Sequence, residues 1–389
     1  MTEHPSSRLT DDIRRQPQRS QSASNILLVG NWRSDTGYAW KMIERVWIAI
    51  ARAFPDQQTY LCFPELGAVN PEIRAAGIKV EAFSFNLGRP AALVNFCRDR
   101  DIGLIYLTDR PYASRVYRRL RRNGVQCIII HDHTPGPRTA PSALKGLLKR
   151  AQIVASGADR YIACSEQVLE RLVSVGCVPA ERCHLARNGI DLSQFQQQNP
   201  AIRNELSLSP HTVLIVSCSR LHPYKRVDDI VEAAALLKDL DVHFLHIGDG
   251  PDSAALQTRI RERNLERRFT LLGRRNDVAQ VLAGCDIAVH ASNGEVGLCL
   301  AILEFMATGL ALAVTDEPTV SQLIEPGVTG LTYPHRNVPA LADALRSLVT
   351  DSSLRRRLGQ AARRTVESQY HIEDTIAAVV ETVRLSISL

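Results

Sequence analysis

The chain has 389 residues, a formal net charge of +6 and an apolar fraction of 45%. At roughly 150 residues per domain, this length predicts two or three domains. No segment reaches the roughly 18 uninterrupted apolar residues that a membrane span needs, so we expect that the protein does not cross a membrane. The nine cysteines are scattered without a CxxC pair. This pattern disfavours a zinc site or disulfide framework and favours free thiols in a reducing cytoplasm.

Two series of strand-like and helical segments follow a polar N-terminal stretch. Residues 1–24 are rich in Ser, Gln, Arg and Pro, a composition typical of a disordered tail. Short β-rich runs then alternate with helical patterns over 25–195 and again over 205–365, which indicates parallel, doubly wound sheets. We therefore predict an α/β fold with two Rossmann-like domains, and a C-terminal helix, 366–389, that returns to the first domain.

Two residues of the first domain are candidate ligand contacts, because parallel sheets bind ligands beyond the carboxyl ends of their strands. Gly37 lies between the first strand and the first helix, where a glycine lets a ligand approach the backbone. The alternative is a turn glycine chosen for its dihedral angles. His131 follows the strand VQCIII and precedes a loop rich in Pro and Gly. A structural histidine that is hydrogen-bonded to this loop is the alternative.

The second domain carries charged residues at two corresponding strand ends. Arg220 and Lys225 follow the strand VLIVSC, and such a pair suits a diphosphate, although solvated cations would give the same spacing. The stretch 288–315 reads as strand, Gly-bearing turn, helix and strand. Amides at that helix start suit an anion, and Glu295 and Glu304 suit hydroxyl groups of a ribose or sugar. A sugar-nucleotide pocket is one interpretation, and an ordinary βαβ unit is the other.

A basic lobe extends over residues 110–150, where ten Lys or Arg stand against a single acidic residue, Asp132. Peripheral contact with an anionic membrane surface or an acidic acceptor is one interpretation. A solvated helix face is the alternative and explains the run RVYRRLRRN easily. Nucleic acid is not expected as a partner, because no recognisable binding module accompanies the charge.

Six motifs in order along the chain resemble the family-four retaining glycosyltransferases, which have the two-Rossmann-domain architecture called GT-B. The motifs are RNGID (187–191), SRLHPYK (219–225), HIGDGPD (246–252), LGRRNDV (272–278), CDIAVHAS (285–292) and GLCLAILEFMATGLAL (297–312). The resemblance implies two domains that face a central cleft. It covers almost the whole chain from Asn25.

In the second domain, the resemblance implies roles for individual residues. Arg220 and Lys225 match the family's diphosphate-binding Arg and Lys. Glu304 matches the glutamate that binds the nucleotide ribose. The amides around Gly297 and Leu298 resemble those that contact the donor phosphate.

Further positions complete the implied nucleotide-sugar site. His131 resembles the histidine near the transferred sugar, Gly37 lies in the counterpart of the N-terminal glycine loop, and Arg274 lies in the loop that passes the base. The family separates its two glutamates by seven residues, whereas eight separate them here, and Val296 occupies the strict position. We retain Glu295 as the carboxylate for the sugar, on the expectation that a bulge accommodates the extra residue. The sequence DTGY also replaces a common Gly-Gly pair around Gly37.

The resemblance implies a retaining transferase that moves a sugar from a nucleotide-diphosphate sugar to a saccharide or lipid-linked acceptor, in cell-surface glycan synthesis. It implies catalytic roles for His131, Arg220, Lys225 and Glu295, and requires no metal or other cofactor. We expect a cytoplasmic protein, on the inner face of the membrane if the basic lobe binds lipid. Two alternatives remain: a catalytically silent GT-B partner protein, for which the shifted glutamate would be the sign, and a non-hydrolysing sugar-nucleotide epimerase.

Overall fold

The computed structural model describes residues 24–36, 40–134, 139–195, 201–295 and 297–387. The predictions for Gly37, for Val296 and for all but the last residue of the tail lie outside these ranges. Every helix in the described part of the chain is too short or too polar to cross a bilayer.

The first domain contains a seven-stranded parallel sheet with the order β3-β2-β1-β4-β5-β6-β7. Its central strands are apolar runs that are buried on both faces, as parallel sheets covered by helices require. The strands are β1 (Asn25–Val29), β2 (Thr59–Phe63), β3 (Lys79–Ala82), β4 (Ile102–Thr108), β5 (Cys127–Asp132), β6 (Arg160–Ala163) and β7 (Cys183–Leu185). The helices are α1 (Lys41–Ala53), α2 (Pro71–Ala75), α3 (Pro90–Asp99), α4 (Arg115–Arg121), α5 (Ala143–Ser156) and α6 (Glu166–Ser174).

The second domain follows the short helix α7 (Ile202–Glu205) and contains a six-stranded parallel sheet with the order β10-β9-β8-β11-β12-β13. Its strands are β8 (Val213–Cys218), β9 (Val242–Ile247), β10 (Phe269–Leu271), β11 (Ile287–His290), β12 (Ala311–Thr315) and β13 (Leu331–Tyr333). Its helices are α8 (Val227–Ala235), α9 (Ser253–Glu262), α10 (Val278–Ala283), α11 (Leu300–Thr308), α12 (Pro318–Ser321), α13 (Val338–Thr350) and α14 (Ser352–Gln369).

The last helix, α15 (Ile372–Ile387), packs on the first domain although it follows the second in the chain. Val379 and Val383 lie in the same core cluster as Trp47 of α1. The Thr375 hydroxyl donates a hydrogen bond of 2.6 Å to the carbonyl of Arg187, and the Ile190 N–H donates to the carbonyl of Tyr370. The chain therefore crosses between the domains at two adjacent points.

Candidate functional site

A cleft between the two domains encloses a cavity of about 750 Å³, within the range of roughly 300–1,000 Å³ that is typical of small-molecule sites. The lining from the second domain comes from the segments that follow β8, β9, β10 and β11 and from the starts of α10 and α11. The predicted residues that line the cavity are Arg220, Lys225, Arg274, Glu295, Leu298 and Glu304. Residues separated by as many as 84 positions in sequence thus meet in one space.

The turn after β8 directs two cations into this cleft. Arg220 is exposed, and its guanidinium donates a hydrogen bond of 3.2 Å to the Tyr224 hydroxyl. Residues Pro223–Lys225 form a single 3-10 turn, and α8 begins only after Arg226, whose φ is 54°. Lys225 therefore lies in the turn that precedes α8.

A glycine holds the β8 turn against the turn after β9. Gly248 has a φ of +131°, and a Cβ atom on it would lie 1.9 Å from the carbonyl oxygen of Ser219. Only a glycine allows both this conformation and this approach. The contact fixes the backbone that immediately precedes Arg220.

Glu295 forms an ion pair with Lys225, and both side chains are about 10% exposed. The same carboxylate oxygen lies 2.7 Å from Nε2 of His290. Burial would raise the pKa of Glu295, but the hydrogen bond from His290 and the charge of Lys225 outweigh burial and lower it to about 2. For His290, burial acts in the opposite direction and would lower the pKa. The neighbouring Cys299 and Glu295 outweigh burial and raise the pKa of His290 to about 9. Both shifts favour the charged forms, so that Lys225 and a protonated His290 would flank an ionised Glu295.

The potential ligand atoms of His290, Glu295 and Cys299 lie within 4.8 Å of one another, a spacing that also occurs in metal sites. The Lys225 ammonium contacts the same carboxylate, and it would repel a divalent cation placed there. We therefore interpret the cluster as a set of paired charges.

The loop before α11 packs against the first domain. Gly297 has a φ of +53°, and a Cβ atom on it would lie 2.4 Å from Sγ of Cys164. Leu298 lines the cleft, whereas Gly297 does not. The Leu298 carbonyl accepts a hydrogen bond of 3.3 Å from the Asn188 side chain of the interdomain segment. Glu304 is 9% exposed and lies within α11, six residues after Leu298.

From the first domain, the cleft is lined by His133 and not by His131, so the prediction for His131 requires correction. His131 is 1% exposed, and its Nδ1 atom lies 2.5 Å from the Tyr106 hydroxyl. It belongs to β5 itself, so its side chain is covered by the helices on that face of the sheet. His133 lies two residues further, past the strand end, and its ring centroid lies 4.0 Å from that of His131, with the two ring planes tilted by 50°. His131 therefore packs against His133 but does not itself line the cleft.

Arg274 of the second domain forms a contact with the first domain at the cleft. Its guanidinium donates a hydrogen bond to the carbonyl of Thr36, in the loop that precedes Gly37. The side chain also lines the cavity. The loop predicted to pass the base therefore touches the loop predicted to approach the donor.

Two family models match adjacent parts of the chain: glycosyltransferase family 4 over residues 43–194, and glycosyl transferases group 1 over residues 198–365. The chain belongs to the group 1 glycosyltransferases. The resemblance found in the sequence is therefore confirmed. The boundary between the two matches coincides with the segment that connects the two sheets.

Two similar proteins align with part of the sequence of this glycosyltransferase. It is 24% identical to N-acetyl-alpha-D-glucosaminyl L-malate synthase of Bacillus anthracis over 294 residues, which is 69% of this chain and 77% of the relative. It is 34% identical to a GDP-mannose-dependent alpha-mannosyltransferase of Mycobacterium tuberculosis over 218 residues, 54% of this chain and 52% of the relative. The chain thus spans about half the length of the second relative.

The fold of this glycosyltransferase matches solved GT-B structures. Anabaena Alr3699/HepE, solved in complex with UDP and glucose, superimposes with a TM-score of 0.74 at 21% identity, over 93% of this chain and all of that chain. The predicted fold class, two Rossmann-like domains that face a cleft, is therefore confirmed.

The cleft residues of this glycosyltransferase that the sequence analysis did not single out include His133, Asn188 and His290. His133 lies two residues after His131 at the same end of β5. Because residues two apart in a strand point to the same face, His133 could have been considered together with His131. Asn188 lies within the quoted motif RNGID. His290 ends an apolar strand, and only the fold shows that it contacts Glu295.

Proposed function

We propose that this glycosyltransferase moves a sugar from a nucleotide-diphosphate sugar to a saccharide or lipid-linked acceptor, with retention of configuration, in the synthesis of a cell-surface glycan. The observation that carries the proposal is the convergence of Arg220, Lys225 and Glu304 on one cavity. Two cations suit a diphosphate, and a carboxylate beside them suits the hydroxyl groups of a ribose.

The charges of the cleft support a substitution in which the diphosphate leaves. Arg220 and Lys225 would stabilise the negative charge that develops on the leaving group, in a site partly shielded from water. Glu295 already holds Lys225 through an ion pair. We therefore propose that the donor diphosphate competes with Glu295 for this ammonium group, and that the carboxylate thus released accepts hydrogen bonds from the sugar.

The first domain would supply the acceptor side of the reaction. His133 and Asn188 line the same cavity as Arg220 and Lys225. Burial lowers the pKa of His133, against the opposing charges of Asp109 and Asp132, so the neutral ring is favoured near pH 7. A neutral imidazole both donates and accepts a hydrogen bond, which suits sugar hydroxyls.

The names of the similar proteins support this donor class. The Anabaena structure holds UDP and glucose, and the mycobacterial relative is named for GDP-mannose. We propose a nucleoside diphosphate as the common leaving group and leave the base and sugar to experiment. We also propose that transfer needs no metal, because Arg220 and Lys225 would supply the positive charge.

A direct test incubates the purified full chain with a panel of UDP-, GDP- and ADP-sugars, with and without EDTA, and measures release of the nucleoside diphosphate. Nuclear magnetic resonance of the product reports the anomeric configuration. We expect release from at least one donor, unchanged by EDTA, with the donor's configuration retained. An inverted product would contradict the retaining mechanism, and dependence on a metal would contradict the metal-free reaction.

Lys225→Ala should lower turnover by roughly a hundredfold or more, because it removes charge stabilisation of the leaving group. Lys238→Ala removes an exposed lysine of the same domain and serves as the matched control. Nucleotide binding without turnover of any donor would contradict the transferase and favour the silent partner. Interconversion of sugar nucleotides without transfer would favour the epimerase.

A further inference from the structure

Helix α5 presents an apolar stripe to solvent. The exposed fractions are 70% for Leu144, 66% for Leu147, 64% for Leu148 and 57% for Val154. At 3.6 residues per turn, these four positions fall within an arc of about 120°, so they share one side of the helix. Ile153 points to the opposite side and is 2% exposed in the core of the first domain. The helix thus buries one edge and leaves its most apolar face open.

The helix is held firmly in this orientation. The Lys149 ammonium donates a hydrogen bond of 2.6 Å to the Val175 carbonyl on the buried side. Gly146 lies against Pro141 and Cys177, at ordinary contact distance for an added Cβ atom. The exposure of the leucines is therefore a property of the fold, and large contiguous apolar patches on soluble proteins mark interaction sites.

Cations border the apolar stripe. Lys145 and Arg150 are exposed on its two sides, and the neighbouring helix α4 adds Arg115, Arg118 and Arg119. The acidic residue of this region, Asp132, is 1% exposed and forms an ion pair with Arg171. The surface formed by α4 and α5 therefore combines exposed cations with an exposed apolar stripe.

The position of α5 relates this surface to the cleft. The helix follows β5, whose carboxyl end carries His133 into the cavity, and it precedes the parallel strand β6. A helix that connects two parallel strands runs back along the sheet, so Leu144 lies toward the cleft edge and Val154 toward the opposite edge. A surface bound to this helix would lie beside the cleft opening.

We propose that the apolar face of α5 inserts into the headgroup region of an anionic bilayer, while the cations of α4 and α5 bind its acidic lipids. An amphipathic helix with leucines between basic residues has the composition of an interfacial membrane helix. A second copy of the chain is a poorer occupant, because two-fold pairing of this face would bring the two sets of cations together. The inference is independent of the donor and acceptor proposed above.

Flotation of the full chain with vesicles tests the proposal. We expect binding to mixed phosphatidylcholine–phosphatidylglycerol vesicles, much weaker binding to phosphatidylcholine alone, and a decline with rising salt. Leu147→Glu combined with Leu148→Glu should lower the partition coefficient by about tenfold or more. Lys145→Gln and Arg150→Gln should each lower it by roughly fivefold and reduce the preference for anionic lipid.

The matched control is Leu236→Glu, which changes a leucine that is 50% exposed on the second domain. It should bind vesicles as the wild type does, and thermal unfolding should show that all variants remain folded. Equal vesicle binding by the double glutamate variant and the wild type would overturn the proposal. Sedimentation that finds a lipid-free dimer, lost in the double variant, would overturn it in favour of a second copy.

Discussion

At the scale of single residues, His131 and His133 lie two positions apart at the end of β5 but have different environments. Burial lowers the pKa of His131 well below its usual value, and its Nδ1 atom forms a hydrogen bond with the Tyr106 hydroxyl. Both ring nitrogens of His133 are shielded from water and lack a partner in hydrogen-bonding geometry among the described residues, although Asn188 interacts with the ring. Buried polar atoms without partners are costly, so a ligand that supplies these bonds would gain affinity.

We predict that His133→Ala lowers kcat/KM for transfer by about 10–100-fold, the effect of one or two lost hydrogen bonds, with little change in stability. His131→Ala should instead lower the free energy of unfolding by about 1–3 kcal/mol, since it leaves the Tyr106 hydroxyl unpaired. Steady-state kinetics and chemical unfolding of both variants provide the measurements. An active His133→Ala enzyme beside a folded but inactive His131→Ala enzyme would reverse the assignment.

The cluster of Lys225, His290 and Glu295 makes stability depend on pH. Because the pKa of His290 is raised from 6.5 to about 9 in the folded protein, its contribution is complete below pH 6.5 and is lost as the pH rises through about 9. The pKa of Glu295 is lowered from 4.5 to about 2, so its contribution is present above pH 4.5 and is lost as the pH falls toward 2.

We predict that Glu295→Gln flattens the alkaline decline, because His290 loses the carboxylate that holds its proton. Chemical unfolding between pH 6.5 and 9 should show a wild-type loss on the order of 1–3 kcal/mol that is clearly smaller in the variant. Glu325→Gln removes an exposed glutamate and should keep the wild-type slope. An unchanged slope in Glu295→Gln would mean that His290 is not charged by this pair.

At the scale of elements, the sequence predicted two series of alternating strands and helices and the order of the strand-end motifs, but not the edge strand β13. Largely apolar runs such as β1 and β4 have few alternatives to a buried parallel strand. The partners of Glu295 could not be predicted, because Lys225 and His290 reach it from the ends of β8 and β11. The stripe of α5 was missed for a related reason: its spacing predicts an amphipathic helix, but packing decides which face is buried.

At the scale of the whole molecule, the last helix of the chain returns from the second domain to the first. A C-terminal helix on the first domain was expected from residue 366, but α14 runs to Gln369 on the second domain, and only α15 crosses. The core under α15 joins Val379 to α1, so the end of the chain completes the packing of its beginning. Such a contact between distant segments has no local signal in the sequence beyond an apolar face.

We predict that Val379→Ala destabilises the first domain by about 1–3 kcal/mol, because it leaves a cavity at a position that is 0% exposed. In calorimetry, a transition that responds to added nucleoside diphosphate would mark the second domain, and the Val379 effect should fall on the other transition. Val173→Ala removes the same atoms from α6 at a position that is 38% exposed, so it should change stability by less than about 0.5 kcal/mol. If Val379→Ala lowered only the nucleotide-responsive transition, α15 would stabilise the second domain instead. If both transitions fell together, the helix would couple the two domains into one cooperative unit.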